Sequence, residues 1–261
     1  QLLKLVNDPE SNAMDVKQIL SRDQSLTIKV MKLVNSSFYG YAGKIKTLQQ
    51  AVVILGFQTL KSITLSATVF NSFAGKGCPG FDRGAFWKHS IATGVAARLI
   101  AAEKGMREVE EAFVAGIIHD IGKVALDEYA PEQFAKVIAH VHKNNVSMYE
   151  AEKAVIGALH AQIGRWLATR WGLPAELVDV IFYHHQPANA QKAPQLTAMV
   201  HLADHLARAL KLGSGGDTLV PPIDREVPRL LDIGDSAVKK VLTLLPSEFA
   251  KADLFVQMAQ G

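Results

Sequence analysis

The sequence predicts an all-α protein, an N-terminal helical bundle followed by a second helical bundle. Two observations lead there. Apolar residues recur at i, i+3 and i+4 in nearly every segment, the spacing that places them on one helix face. No useful run alternates apolar and polar residues, so the period of a half-buried strand is missing.

The elements follow in order. The chain opens in helical pattern at Gln1-Leu2-Leu3-Lys4-Leu5-Val6, so the natural start is expected upstream. Ser11 or Asn12 is expected to cap a helix ending near Leu20, because short polar side chains accept the first free N–H groups. Leu26, Val30, Leu33 and Val34 predict a helix over 26–34. Residues 35–40 read as a break. Thr47 is placed to cap a helix over 48–55, and Gly56 to end it. Helical spacing resumes over 58–73. The Gly/Pro-rich stretch 74–80 divides the chain. It contains Cys78, read as a bystander in a linker.

Beyond it, Trp87, Ile91, Val95 and Leu99 form one stripe, and Phe113, Ile117, Ile121 and Val124 another. Val155, Leu159, Ile163 and Leu167 form a third. Gly172 stops that helix and Pro174 suits the first turn of the next, which Pro187 halts. Met199, Leu202, Leu206 and Leu210 define a helix over 195–210. A glycine-rich loop (213–220) and Pro221-Pro222 precede one or two last helices over 226–258. The expected division is therefore an N-terminal helical subdomain (1–75), a second helical subdomain (81–210), and a C-terminal loop and helices (211–261) packed on the same domain.

Composition narrows the function classes. With 261 residues, 49% hydrophobic, the chain can bury a large core. Net charge is +3, and Lys and Arg are scattered without a run. Nucleic acid is thus not an expected partner. Arg22, Lys29, Lys32, Lys44 and Lys46 read as a solvated face. One cysteine excludes an internal disulfide framework and fits a reducing, cytoplasmic setting. No apolar run reaches membrane-helix length, and no signal peptide is visible.

Chemistry concentrates in a few residues. His119-Asp120, followed by Ile121-Gly122-Lys123, sets an imidazole beside a carboxylate that can bridge two ions. His89 lies upstream; His160, His184, His185 and Asp204 follow. These ligand types suit Fe, Mn, Ni, Co or Zn better than Mg or Ca. Taken singly, each reads as a satisfied core residue. Taken together, inside apolar helices where polar side chains need partners, they predict two divalent transition-metal ions sharing Asp120. Lys123, three residues after Asp120, is placed to hold a phosphate oxygen. Asp120 and Lys123 are thus the catalytic candidates. His140 and His142 are expected on a solvated face. His201 and His205 stay open as substitutes for the last ligand.

His89, the His119-Asp120 pair and Asp204 resemble the HD superfamily of metal-dependent phosphohydrolases. His160 and His184-His185 resemble the extra ligands of its dinuclear members, including HD-GYP phosphodiesterases. The whole chain most resembles the HDOD domain of bacterial signalling proteins. That likeness rests on Ile19-Leu20-Ser21-Arg22-Asp23, Asn35-Ser36-Ser37-Phe38-Tyr39-Gly40, Ala51-Val52-Val53-Ile54-Leu55-Gly56 and His184-His185-Gln186-Pro187.

The resemblance assigns His89, His119 and Asp204 to one metal and His160, His184 and His185 to the other. No Asp-Gly-x-Gly-Tyr-Pro segment follows His185, which argues against cyclic-di-GMP hydrolysis. Ala85 stands where trinuclear members carry glutamate, which implies two metals. The reading is a signal-transduction and regulatory domain with a retained dinuclear site and signalling proteins as partners. The alternative is a metal-dependent phosphohydrolase acting on a nucleotide or phosphodiester.

Overall fold

The structure, a computed structural model, describes residues 12–20, 23–41, 43–73 and 77–260. The reading of 1–6 as helix, the Ser11 cap and the boundary residues Ala74, Gly75 and Lys76 lie outside them, as do Ser21 and Arg22. All regular structure among the described residues is helical. Four helices build the N-terminal part: α1 (Ala13–Leu20), α2 (Gln24–Val34), α3 (Leu48–Leu55) and α4 (Phe57–Asn71). The second part holds α5 (Arg83–Glu103), α6 (Val109–Ile118), α7 (Ile121–Tyr129), α8 (Pro131–Asn144), α9 (Met148–Val155), α10 (His160–Trp171), α11 (Ala175–Tyr183) and α12 (Pro194–Ala209). α13 (Val227–Leu231), α14 (Asp235–Lys251) and α15 (Asp253–Gln260) close the chain.

The starts follow capping chemistry. Asn12 Oδ1 accepts the Met14 N–H at 2.8 Å, and Asp23, Thr47 and Asp82 cap α2, α3 and α5. Ser147 and Glu150 form a reciprocal box at α9. The break after α2 is held by Asn35, whose amide donates to the carbonyls of Met31 and Ile45.

α5 is the hub. α6, α12, α14 and α15 pack on it, and α15 also reaches α2 and α4. Gly94 and Gly116 bring α5 and α6 together, since a Cβ on Gly116 would lie 2.6 Å from Gly94 Cα. One apolar core runs from Val16 to Ala259. Phe38, Phe113 and Phe255, one from each predicted segment, stack with centroids 5.0–5.5 Å apart. Arg98 lies over Phe38 at 4.4 Å and pairs with Glu110 at 3.1 Å, so even the charged groups here bind the segments together.

Three readings need correction. The stripe through Phe113 and Val124 is two helices, α6 and α7, which break at His119-Asp120. The stripe through Val155 and Leu167 breaks at 156–159, where Gly157 adopts φ +68° and His160 opens α10. The last segment holds three helices, not one or two.

Cys78 is buried, and its N–H donates to Asp127 Oδ1 at 2.6 Å. Burial, together with the nearby Asp127 carboxylate, pushes the thiol up to about 12. The native protein should therefore resist alkylation at pH 8 and react only once unfolded, which timed iodoacetamide labelling would read. Rapid native labelling would contradict this.

Candidate metal centre

Asp120 occupies the N-cap position of α7, yet its side chain caps nothing. An aspartate there would ordinarily accept a backbone N–H of the first turn. Here the helix break turns the carboxylate inward, among imidazoles from α5, α10 and the end of α11. Its Oδ1 lies 3.1 Å from His160 Nε2 and 3.4 Å from His184 Nε2. Its Oδ2 lies 3.3 Å from His119 Nε2 and 2.6 Å from Lys123 Nζ. One carboxylate thus faces two groups of histidines.

Two sets of ligand atoms gather within 4.8 Å of one another: His89, His119 and Asp120, and Asp120, His160, His184 and His185. Asp204 stands outside the first set, though its Oδ1 lies 2.8 Å from His89 Nε2 and 3.9 Å from His119 Nε2. All seven predicted residues therefore lie together. His201 does not join them. Its Nδ1 donates to the His184 carbonyl at 2.7 Å and its Nε2 accepts the Asp224 N–H. His205 donates instead to the His201 carbonyl. His142 is exposed and His140 half-buried.

The ring nitrogens fit a metal. His119 Nδ1 is 2.7 Å from the Gly116 carbonyl and His184 Nδ1 2.9 Å from the Ile181 carbonyl. A carbonyl only accepts, so both Nδ1 atoms carry protons and each ring turns its Nε2 inward. His160 Nδ1 donates likewise to Glu152 Oε2, 2.7 Å away. The Nε2 atoms of His160 and His184 then face each other at 3.4 Å. Two facing lone pairs repel unless a cation or an extra proton lies near. The buried Nε2 atoms of His89 and His119, and Asp120 Oδ1, find no hydrogen bond of good geometry among the described residues, although His89 Nε2 lies 2.8 Å from Asp204 Oδ1 and Asp120 Oδ1 3.1 Å from His160 Nε2. Buried polar atoms are seldom left so, and divalent-metal ligation would satisfy all of them.

The electrostatics agree. Burial raises the Asp120 carboxyl, but Lys123, His119 and His160 outweigh it and hold the group well below its usual range. Asp204 is also depressed: burial again opposes, and Arg208 and then His89 prevail. Burial pulls His184 down to about 4, which favours the neutral ring that ligates. His160 differs: burial is overcome by Glu152 and the ring rises to about 9, so near neutral pH it carries the extra proton that a bound ion would displace.

Three residues at the site went unweighed in the sequence. Glu152 is wholly buried beside His160. Arg208 Nε lies 3.0 and 3.1 Å from the two Asp204 oxygens, and its Nη1 2.8 Å from Asp217. The i, i+4 spacing of Asp204 and Arg208 was a readable signal. Asp217, in the glycine-rich loop, has no such signal. That loop closes over the site. Ser214 donates to the Ala85 carbonyl, and Lys123 Nζ donates to the Gly215 carbonyl at 3.0 Å. Gly213, at φ +82°, packs so close that a Cβ would lie 2.3 Å from His89 N. A cavity of about 580 Å³ opens beside these groups, lined by Lys123, His160, His185, Arg208, Asp217 and Tyr149 among others.

An all-helical chain with this histidine–aspartate centre has the architecture of an HD-related domain. The chain belongs to the HDOD domain family, whose family model matches residues 1–187. It is similar to an HDOD domain protein of unknown function from Geobacter sulfurreducens, with 27% identity and a TM-score of 0.79 over 97% of this chain and 90% of that one. It is also similar to a candidate phosphohydrolase from Shewanella amazonensis SB2B, with 27% identity and a TM-score of 0.74 over 99% and 90%. A curated relative, an uncharacterised protein of Treponema pallidum, is 25% identical over 75% of this chain. The chain spans 37% of that relative's length. No helix among the described residues is long and apolar enough to cross a membrane.

Proposed function

We propose that this is a signal-transduction HDOD domain that retains a dinuclear metal site. His89, His119, Asp120 and Asp204 would hold one ion, and Asp120, His160, His184 and His185 the other. The observation that carries this is the convergence of the His89, His119, His160 and His184 Nε2 atoms on the Asp120 and Asp204 carboxylates, with the Nδ1 atoms of His119, His160 and His184 held outward by carbonyl or carboxylate oxygens. The donor set suits Fe, Mn, Co, Ni or Zn. In this division of labour, 81–210 carries the metals, 1–75 faces partner proteins, and 211–261 joins the two. The N-terminal part exposes the apolar side chains of Met14, Ile28 and Val53, the last 84% accessible, which a signalling partner could cover. Elemental analysis of protein purified without chelator tests the reading. About two transition-metal ions per chain are expected, and none after full reconstitution would reject it.

A second reading, metal-dependent phosphohydrolysis of a nucleotide or phosphodiester, is favoured by the cavity that reaches His160, His185 and Lys123. Bound ions would supply Lewis-acid polarisation of a phosphoryl oxygen and acidify a water molecule. Lys123 would steady a phosphate oxygen once it leaves the Gly215 carbonyl, and Asp204 would keep its orientation through Arg208. The loop 213–222 would exclude bulk water. The test is turnover of a nucleotide and phosphodiester panel after reconstitution with Mn or Fe. Wild type should be active, Lys123→Ala weakened by about ten- to a hundredfold or more, and Asp120→Ala inactive. A rate unchanged in Asp120→Ala would assign the activity to a contaminant.

A further inference from the structure

We propose that Glu152 is a positioning residue for the second metal position, where its charge strengthens His160 as a ligand. The inference rests on the metal reading above. Glu152 sits on α9, eight residues before His160, and is 0% exposed. One oxygen, Oε2, accepts both the His160 backbone N–H at 2.8 Å and its Nδ1–H at 2.7 Å. The first bond fixes where the residue starts α10. The second fixes how the ring turns, so that Nε2 faces Asp120 Oδ1 at 3.1 Å and His185 Nε2 at 2.9 Å. A carboxylate on the outer N–H of a ligating imidazole also makes the inner nitrogen a stronger donor.

The placement is specific. His119 and His184 lean on main-chain carbonyls instead, so the supporting negative charge is given to His160. Helix formation does not call for a buried acid here. α9 already has its own cap in Ser147 and Glu150, and a buried carboxylate is costly without a partner. α9 is itself held at the cavity rim, where Asp217 Oδ2 accepts the Met148 N–H at 2.9 Å. Asp217 also binds Arg208, which grips Asp204. Glu152 is thus the inner end of a line of contacts that leaves one predicted metal group and returns at the other.

The rival role is a plain cap on α10, and glutamine separates the two. Glu152→Gln keeps an oxygen for both N–H groups and loses the charge. The experiment is Mn²⁺ stoichiometry and affinity, by elemental analysis and chelator competition, on wild type, Glu152→Gln and Glu152→Ala, with melting temperatures beside them. Wild type should hold two ions. Glu152→Gln should melt near wild type yet bind the second ion about tenfold more weakly or worse. Glu152→Ala should keep one ion. Should the alanine variant fail to fold, glutamine decides. A second-ion affinity in Glu152→Gln equal to wild type overturns the inference and leaves the metal reading intact. A wild type holding one ion, with an affinity blind to Glu152, also overturns it. A wild type that binds no ion overturns both.

Discussion

Asp120→Ala is expected to take the reconstituted protein from two ions to none, whereas His160→Ala empties one position. The asymmetry comes from placement. Asp120 Oδ2 faces His119 and Lys123 while Oδ1 faces His160 and His184, so its loss strips both ligand groups at once. His160 belongs to one group. The change also strands Lys123, which is wholly buried and left with the Gly215 carbonyl. Removing one partner of a buried pair costs about 3–5 kcal/mol. Folding must therefore be checked separately from metal loss. Asp120→Asn, of equal volume with one acceptor retained, serves for that: it should stay folded by circular dichroism and still lose metal. Two ions retained by a folded Asp120→Ala protein would refute the shared-carboxylate reading.

How much of this centre was legible in the sequence depends on the range of each interaction. Amphipathic spacing and caps are local, and they gave α3 to the residue and α2 to within two residues. The break at His119-Asp120 was hidden because its apolar stripe continues across it. Ile117 and Ile121 keep the i+4 rhythm, and both are buried on either side of the interruption. What ends α6 is the demand of a distant imidazole cluster on Asp120, which no window around residue 120 contains. The second break was hidden in the same way by Val155 and Leu159, which keep the i+4 rhythm across it, although Gly157, at φ +68°, is a local cause of it.

The ligands themselves were legible as residue types in an order, helped by resemblance. Of their supports, Arg208 alone carried a local signal, its i, i+4 spacing from Asp204. Glu152 sits between Ala151 and Lys153 in a pattern of alternating charge that also describes any solvated helix face, and only tertiary burial distinguishes it. Asp217 lies in a loop with no period at all. Its role depends on Arg208, nine residues earlier, and on the start of α9, far earlier still.

Gly122→Ala should lower stability strongly, although the sequence gave this residue no role in the His-Asp-Ile-Gly-Lys stretch. In an open helix the exchange would gain up to about 1 kcal/mol of helix propensity. Here the sign reverses. A Cβ at Gly122 would fall 1.9 Å from the His160 carbonyl oxygen, 2.7 Å from its carbon and 2.8 Å from Gly164 N. Every one of these atoms is backbone, so no side chain can swing aside. α7 and α10 would have to separate, and they carry Lys123 and His160, with Asp120 just before α7. Overpacking of this kind costs about 3 kcal/mol or more. That corresponds to a melting temperature lower by roughly 6–12 °C for a chain of this size. The separation also pulls His160 from Asp120, so the second ion should bind more weakly even in protein that remains folded. Gly234→Ala is the control, because nothing lies within 4 Å of its added Cβ, and its melting temperature should stay within a few degrees of wild type. A Gly122→Ala protein that melts with wild type and holds two ions equally well would mean that α7 and α10 part freely. The centre would then not depend on the close approach of the two helices that bring Lys123 and His160 to it.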